Sequence, residues 1–225
     1  MVVAAVYTGA PCSLMEKVEL ELKKQLPSAV IRTYTDPTII SEVTERGSVG
    51  PEQAKRLIKL YTDAAFAGAD IIYNICSSVG EVADAAAPAV RWMGAEFVRI
   101  DWDMADYAVQ HGKRIGVIAT LPTTLEPTKN LLRSRAKEHG TEIQLVDALA
   151  DAFGKSQPEM EQLLVEQAEK IKDQVDIIVL AQASMALCED RIAQASGKET
   201  LSSPRFGAQA VKRAAEEISR LSVQQ

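Results

Sequence analysis

This 225-residue chain has only two histidines and three cysteines. Cys12, Cys76 and Cys188 are widely and irregularly spaced. That spacing fits neither a disulfide framework nor a zinc site, so no metal is expected and a reducing cytoplasm is the expected setting. Aromatics are 5% of the residues and nowhere interleave with a basic run. Acidic residues outnumber basic ones, 31 to 25, for a net charge of −6. No nucleic acid and no membrane surface is therefore expected as a partner. No apolar run approaches the ~20 residues of a membrane span. Residues 1–7 lack a charged n-region and read as a first strand, not a signal peptide. Glycine is scarce where a nucleotide would need it. Thr8-Gly9-Ala10-Pro11-Cys12-Ser13 carries a single glycine after that strand, so no phosphate-binding fingerprint is present.

What the chain does have is a regular alternation over a 47% hydrophobic composition, enough for a substantial core. Strand-like runs fall at 2–7, 29–34, 70–75, 97–100, 114–119, 142–146 and 176–180. Helical patterns fall at 13–25, 51–67, 81–93, 104–111, 125–139, 157–172, 184–195 and 208–221. In the helix at 51–67, Pro51 suits the first turn, with Gln53, Lys55 and Arg56 facing solvent and Leu57, Leu60 and Tyr61 facing a core. Apolar strands alternating with amphipathic helices specify an α/β fold with parallel sheets covered on both faces. Each histidine precedes a glycine at an expected helix end, His111-Gly112 and His139-Gly140. Both read as caps, a cation at the C-terminus followed by a left-handed glycine. With the histidines so used, a Ser-His-Asp triad, a Cys-His pair and a histidine metal site are not expected.

The chain also half-repeats itself. Residues 70–78, Asp-Ile-Ile-Tyr-Asn-Ile-Cys-Ser-Ser, are echoed at 176–184 by Asp-Ile-Ile-Val-Leu-Ala-Gln-Ala-Ser, and the strand ending at Thr8 is echoed by the one ending at Thr120. Two strands with similar offsets indicate one α/β unit used twice. The expected organisation is a first unit over 1–105, a second over 106–205, and a helix over 206–225 packing back on the first. Thr8, Cys76, Thr120 and Gln182 would then line a cleft between two pseudo-symmetric, Rossmann-like or flavodoxin-like units.

Cys76 is the residue with most chemistry in reach. It stands where a buried strand ends and a helix begins, the edge at which open α/β sheets bind ligands. Backbone N–H groups and the helix dipole there favour a thiolate and a bound anion. The alternative is a small buried hydrophobe, a common state of free cysteine.

Three segments together, Cys76-Ser77-Ser78-Val79-Gly80-Glu81, the run 116–124 (Gly-Val-Ile-Ala-Thr-Leu-Pro-Thr-Thr) and the run 180–185 (Leu-Ala-Gln-Ala-Ser-Met), resemble the aspartate/glutamate/hydantoin racemase superfamily in order and spacing. The resemblance implies two similar α/β units about a pseudo-two-fold cleft, and chemistry with no pyridoxal phosphate, metal or other cofactor. It implies one cysteine from each half working on opposite faces of a carbon beside a carbonyl. Cys76 matches the first-half cysteine. Ser77 and Ser78 match the polar positions after it that bind carboxylate oxygens. Thr120 and Thr123 match the second-half threonine loop, and Thr8 the loop after the first strand. The second cysteine position holds Gln182, followed by Ala183 and Ser184. Glutamine has no acid or base function near neutral pH, though its amide can hold a carboxylate.

The expected activity is a pyridoxal-phosphate-independent racemase or isomerase acting beside the carboxylate of a small amino or organic acid, with Cys76 as acid/base. Thr8, Ser77, Ser78, Thr120, Thr123, Gln182 and Ser184 are the expected substrate-binding residues. Alternatives are a single-cysteine decarboxylase, a cis–trans isomerase of a small dicarboxylate, and a non-catalytic small-acid binding protein. Cys12 and Cys188 are the two candidates for a replacement thiol. Glu81 and Asp84 read as dipole-complementing residues of their own helix, Glu189 and Asp190 as a solvated face, and Arg205 as a surface residue. The resemblance also implies a homo-oligomer.

Overall fold

The computed structural model describes residues 1–223. Among these, eight strands alternate with nine α-helices, and the chain divides into two compact units. One holds residues 1–100 with the C-terminal segment from Pro204; the other holds 101–203. The end of the expected terminal helix, 224–225, lies outside the described residues.

The first unit runs β1 (Val2–Tyr7), α1 (Cys12–Gln25), β2 (Val30–Thr35), α2 (Thr38–Arg46), α3 (Pro51–Phe66), β3 (Ile71–Asn74), α4 (Gly80–Trp92) and β4 (Glu96–Arg99). The second runs α5 (Trp102–His111), β5 (Arg114–Ala119), α6 (Pro122–His139), β6 (Gln144–Leu149), α7 (Gln157–Ile171), β7 (Ile177–Leu180), α8 (Glu189–Ser196) and β8 (Glu199–Leu201). A last helix, α9 (Ser203–Val223), returns to the first unit. Each unit holds one four-stranded parallel sheet, ordered β2-β1-β3-β4 and β6-β5-β7-β8. The two orders are the same. The expected α/β class with doubled parallel sheets is what the molecule has. No helix among the described residues is long and apolar enough to cross a membrane.

The central strands are buried throughout, as their unbroken apolar runs require. In the first unit Val6, Ile72 and Phe97 pack under Ile39, Val43, Leu57, Tyr61 and Val90. In the second, Ile118, Ile178 and Leu180 pack under Leu164, Ala168, Ile171 and Ile192. The outer strands β2 and β6 are largely exposed, since each lies at a sheet edge and is covered less completely.

Several local expectations are corrected. Helix α2 was not among the expected helices, and five of its residues, Thr38, Ile39, Ile40, Val43 and Thr44, are β-branched. Each such residue costs at most about 0.7 kcal/mol of helix propensity. Burying Ile39 and Val43 completely offsets that at about 1.5–3 kcal/mol each. Asp36 Oδ1 accepts from the Thr38 N–H and hydroxyl, fixing the start of the helix, and Gly47 at φ +82° ends it. Gln53 and Arg56 consequently do not simply face solvent: both donate to Glu42 on α2, each at 2.5 Å. Strand β8 has three residues, too few to show a period. The helix expected at 184–195 is a 3₁₀ turn, Ala183–Leu187, followed by α8. Glu189, expected on a solvated face, accepts from the Ser202 hydroxyl and ties α8 to the segment after β8. Asp84 does more than complement a dipole, for it pairs with Arg99. Both histidines end helices, and Gly140 is left-handed at φ +65°. Gly112 is extended instead, and its glycine answers a close approach: a Cβ there would lie 2.6 Å from Ile177 Cγ2.

Candidate functional site

Register decides what stands at the carboxyl edge of each sheet. In the first unit Val6 pairs with Asn74 across β1 and β3. The Ile75 N–H then donates to the Val6 carbonyl at 2.9 Å, the last rung of the ladder. Two residues past the pair, in the same phase, come Thr8 and Cys76. In the second unit Ile118 pairs with Leu180, the Ala181 N–H donates to the Ile118 carbonyl at 2.9 Å, and the residues two further on are Thr120 and Gln182. The echo in the sequence is thus an echo in position.

Cys76 is extended, at φ −160° and ψ 111°, and half-buried. Ser77–Val79 form a single 3₁₀ turn that leads into Gly80 and α4. Such a turn at a helix start leaves N–H groups without intrahelical acceptors beside the thiol. The Cys76 backbone is held from below: Asn74 Nδ2 donates to its carbonyl at 3.1 Å, and Asn74 Oδ1 accepts from the Tyr61 hydroxyl at 2.7 Å. Tyr61 is fully buried, and burial holds its phenol well above the usual tyrosine value, with Cys76 adding to the effect. It therefore stays a donor, and that fixes which way the Asn74 amide points.

The hydroxyls of Thr8 and Ser77 are both buried, with Thr8 only 1% exposed, and neither Oγ has a hydrogen-bond partner. An unsatisfied buried hydroxyl costs about 1–3 kcal/mol. Both hydroxyls are free to donate, and both stand at the edge that carries Cys76. Gly9, at φ +134°, turns the chain after Thr8 close over α2, where a Cβ would meet Ile40 Cγ2 at 2.4 Å. Ser78 is buried in the same turn.

At the second edge Gln182 Oε1 accepts from the Thr120 N–H at 2.7 Å and from the Thr120 hydroxyl at 2.9 Å. A backbone N–H can only donate, so the carbonyl oxygen faces Thr120 and the amide NH₂ faces away. Helix α6 starts earlier than expected, at Pro122, which puts Thr123 in its first turn. Thr123 Oγ1 is buried and without a partner, and Ser184 is half-buried in the turn after Gln182. The structure thus gathers Thr8, Cys76, Ser77 and Ser78 at one sheet edge, and Thr120, Thr123, Gln182 and Ser184 at the other.

The two other thiols differ sharply. Cys12 is the first residue of α1 and exposed. Cys188 is fully buried in the second core, and burial pushes its thiol up to about 11. A thiol so placed is a core group and not a base at neutral pH. Arg99 is the residue that sequence reasoning missed. It closes β4 with its side chain 4% exposed, and Nη1 donates to Asp84 Oδ2 at 2.5 Å. The signal was available only as a charge at the inner end of a short strand.

No curated protein matches the sequence. Among solved structures, glutamate racemase from Francisella tularensis in complex with D-glutamate superposes with a TM-score of 0.71 at 13% identity, over 96% of this chain and 81% of that one. Allantoin racemase from Klebsiella pneumoniae gives 0.67 at 14%, over 96% and 88%. A variant of arylmalonate decarboxylase gives 0.59 at 14%, over 96% and 94%. At these identities the likeness is one of fold. The family model described as Asp/Glu/Hydantoin racemase matches residues 7–211, a span that holds both sheet edges, and the chain belongs to that family.

Proposed function

We propose that the protein is a cofactor-independent enzyme of isomerase type that moves a proton on the carbon beside a carboxylate, with Cys76 as the acid/base. The observation that carries this is the first sheet edge, where a half-buried thiol stands among two buried hydroxyls, Thr8 and Ser77, that have no partner. In the reaction the Cys76 thiolate takes the α-proton. The C–H bond breaks, an S–H bond forms, and the electron pair moves onto the carboxylate oxygens as an enediolate. Thr8 and Ser77 would donate to those oxygens, and their bonds strengthen as charge develops. Return of a proton by the same thiol gives exchange with retention, and inversion needs a second acid on the opposite face of that carbon.

At the edge of the second sheet, Thr120, Thr123, Ser184 and the outward NH₂ of Gln182 offer neutral donors and no acid or base. Because Gln182 can neither take nor give a proton, a second reading has its own support: one thiol working on one face. That reading covers a decarboxylase, in which loss of CO₂ leaves an enediolate that Cys76 protonates, and a cis–trans isomerase of a small dicarboxylate. A small-acid binding protein is the non-catalytic counterpart.

Proton NMR in D₂O over a panel of small chiral amino acids, hydroxy acids, hydantoins and malonates tests the proposal. Exchange of the α-proton with inversion supports a racemase with a second acid/base. Exchange with retention, or loss of CO₂ giving one enantiomer, supports the one-thiol reading. A panel in which ligands bind and protect Cys76 from alkylation but none exchanges would replace the enzyme with the binding protein.

A further inference from the structure

Arg99 stands in register with Asn74, the residue whose side chain holds the Cys76 carbonyl. It lies on the same face of the sheet as Phe97, two residues earlier, whose ring meets Tyr61 edge-on at 5.0 Å in the core against which Cys76 packs. The guanidinium rests directly on Gly80. A Cβ at that position would come within 2.2 Å of Nη2 and 2.5 Å of Cζ. The Gly80 N–H in turn closes the 3₁₀ turn onto the Ser77 carbonyl. A buried cation is a costly way to brace a turn, because desolvation costs several kcal/mol unless the charge is well paired. Arg99 pairs with Asp84 on α4, whose side chain is 42% exposed. The N-terminus of α4 adds positive potential at the same end.

We propose that Arg99 is a positioning residue that sets both the placement of the Cys76 turn and the ease with which its thiol ionises; the inference rests on Cys76 being the acid/base proposed above. Burial holds the Tyr61 phenol up, Cys76 and Asp84 push it the same way and Arg99 opposes them, so charge on these three groups is felt at the residue that holds Asn74. Charged and titratable groups on the surrounding elements include Tyr61 on α3, Tyr73 on β3, Glu81, Asp84 and Arg91 on α4, Glu96 and Arg99 on β4, and Asp101, buried just after β4. Within that set Arg99 favours the thiolate and Asp84 opposes it.

The two therefore predict shifts of opposite sign. In a Cys12→Ser background, with Cys188 buried, iodoacetamide reports on Cys76. Arg99→Met is expected to slow alkylation at pH 7 about tenfold and to move its pH profile upward, with Arg99→Lys recovering part of the rate. Asp84→Asn is expected to speed alkylation about threefold and to move the profile downward. The Asp84 variant changes a half-exposed side chain and keeps the test decisive if Arg99→Met does not fold. Profiles that do not move, or that move the same way in both variants, would reduce Arg99 to a structural clamp and overturn the inference. Alkylation needs no substrate. Opposite shifts with no α-proton exchange would sink the catalytic reading and leave this coupling standing; unmoved profiles with exchange intact would do the reverse.

Discussion

If Thr8 holds a substrate oxygen as proposed, its hydroxyl costs the fold stability for the sake of binding. Its hydroxyl is buried without a partner, so Thr8→Val is predicted to raise stability by about 1 kcal/mol in urea unfolding at pH 7 while weakening substrate binding about tenfold. A loss of stability with unchanged binding would mean the hydroxyl serves the fold. Cys188 supplies a contrast. Its thiol titrates at about 11 in the folded chain against an ordinary 9, so folding favours the protonated form. That contribution is complete below pH 9 and is lost as pH rises toward 11. Wild type is predicted to exceed Cys188→Ala by a constant amount, about 1 kcal/mol, below pH 9, and to lose that lead and fall below the variant as pH rises through about 11, with activity at pH 7 unchanged. Cys76 was legible in the sequence because a thiol at the end of an apolar strand has few neighbours to confuse it with. Arg99 was not, because in Glu96-Phe97-Val98-Arg99 a terminal charge reads as solvated, and only sheet register brings it beside Asn74. The unpartnered state of Thr8 and Ser77 was likewise invisible, being a property of surroundings and not of residue type.

At the scale of elements, the turn from β3 into α4 is the piece on which the account depends. Gly80 has an ordinary helical backbone, and what fixes it as glycine is the guanidinium lying against it. Gly80→Ala is predicted to destabilise the fold by about 1–3 kcal/mol, by forcing Arg99 off its seat, and to slow Cys76 alkylation along with it. A variant as stable and as reactive as wild type would show that Arg99 yields without consequence. The long amphipathic helices and the buried strands could be read from period and composition. Helix α2 could not, since its residue types favour a strand and only the burial of Ile39 and Val43 settles it. The 3₁₀ turns after Cys76 and Gln182 were hidden for a related reason: a single turn has no period.

Across the whole chain the repeat was the most legible feature, and its strands now show why. Ile71 of β3 and Ile177 of β7 head equivalent strands 106 positions apart, and both sheets follow one order. Gln182 stands at the edge position of the second sheet that Cys76 holds in the first.

The central claim is that Cys76 carries the proton. It is tested most directly by the rate of α-proton exchange in wild type and in Cys76→Ser, with unfolding midpoints measured alongside. A positioned acid/base contributes about 10²- to 10⁴-fold, so the account predicts a loss in that range in a variant as stable as wild type. Exchange at the wild-type rate in a folded Cys76→Ser protein would contradict it.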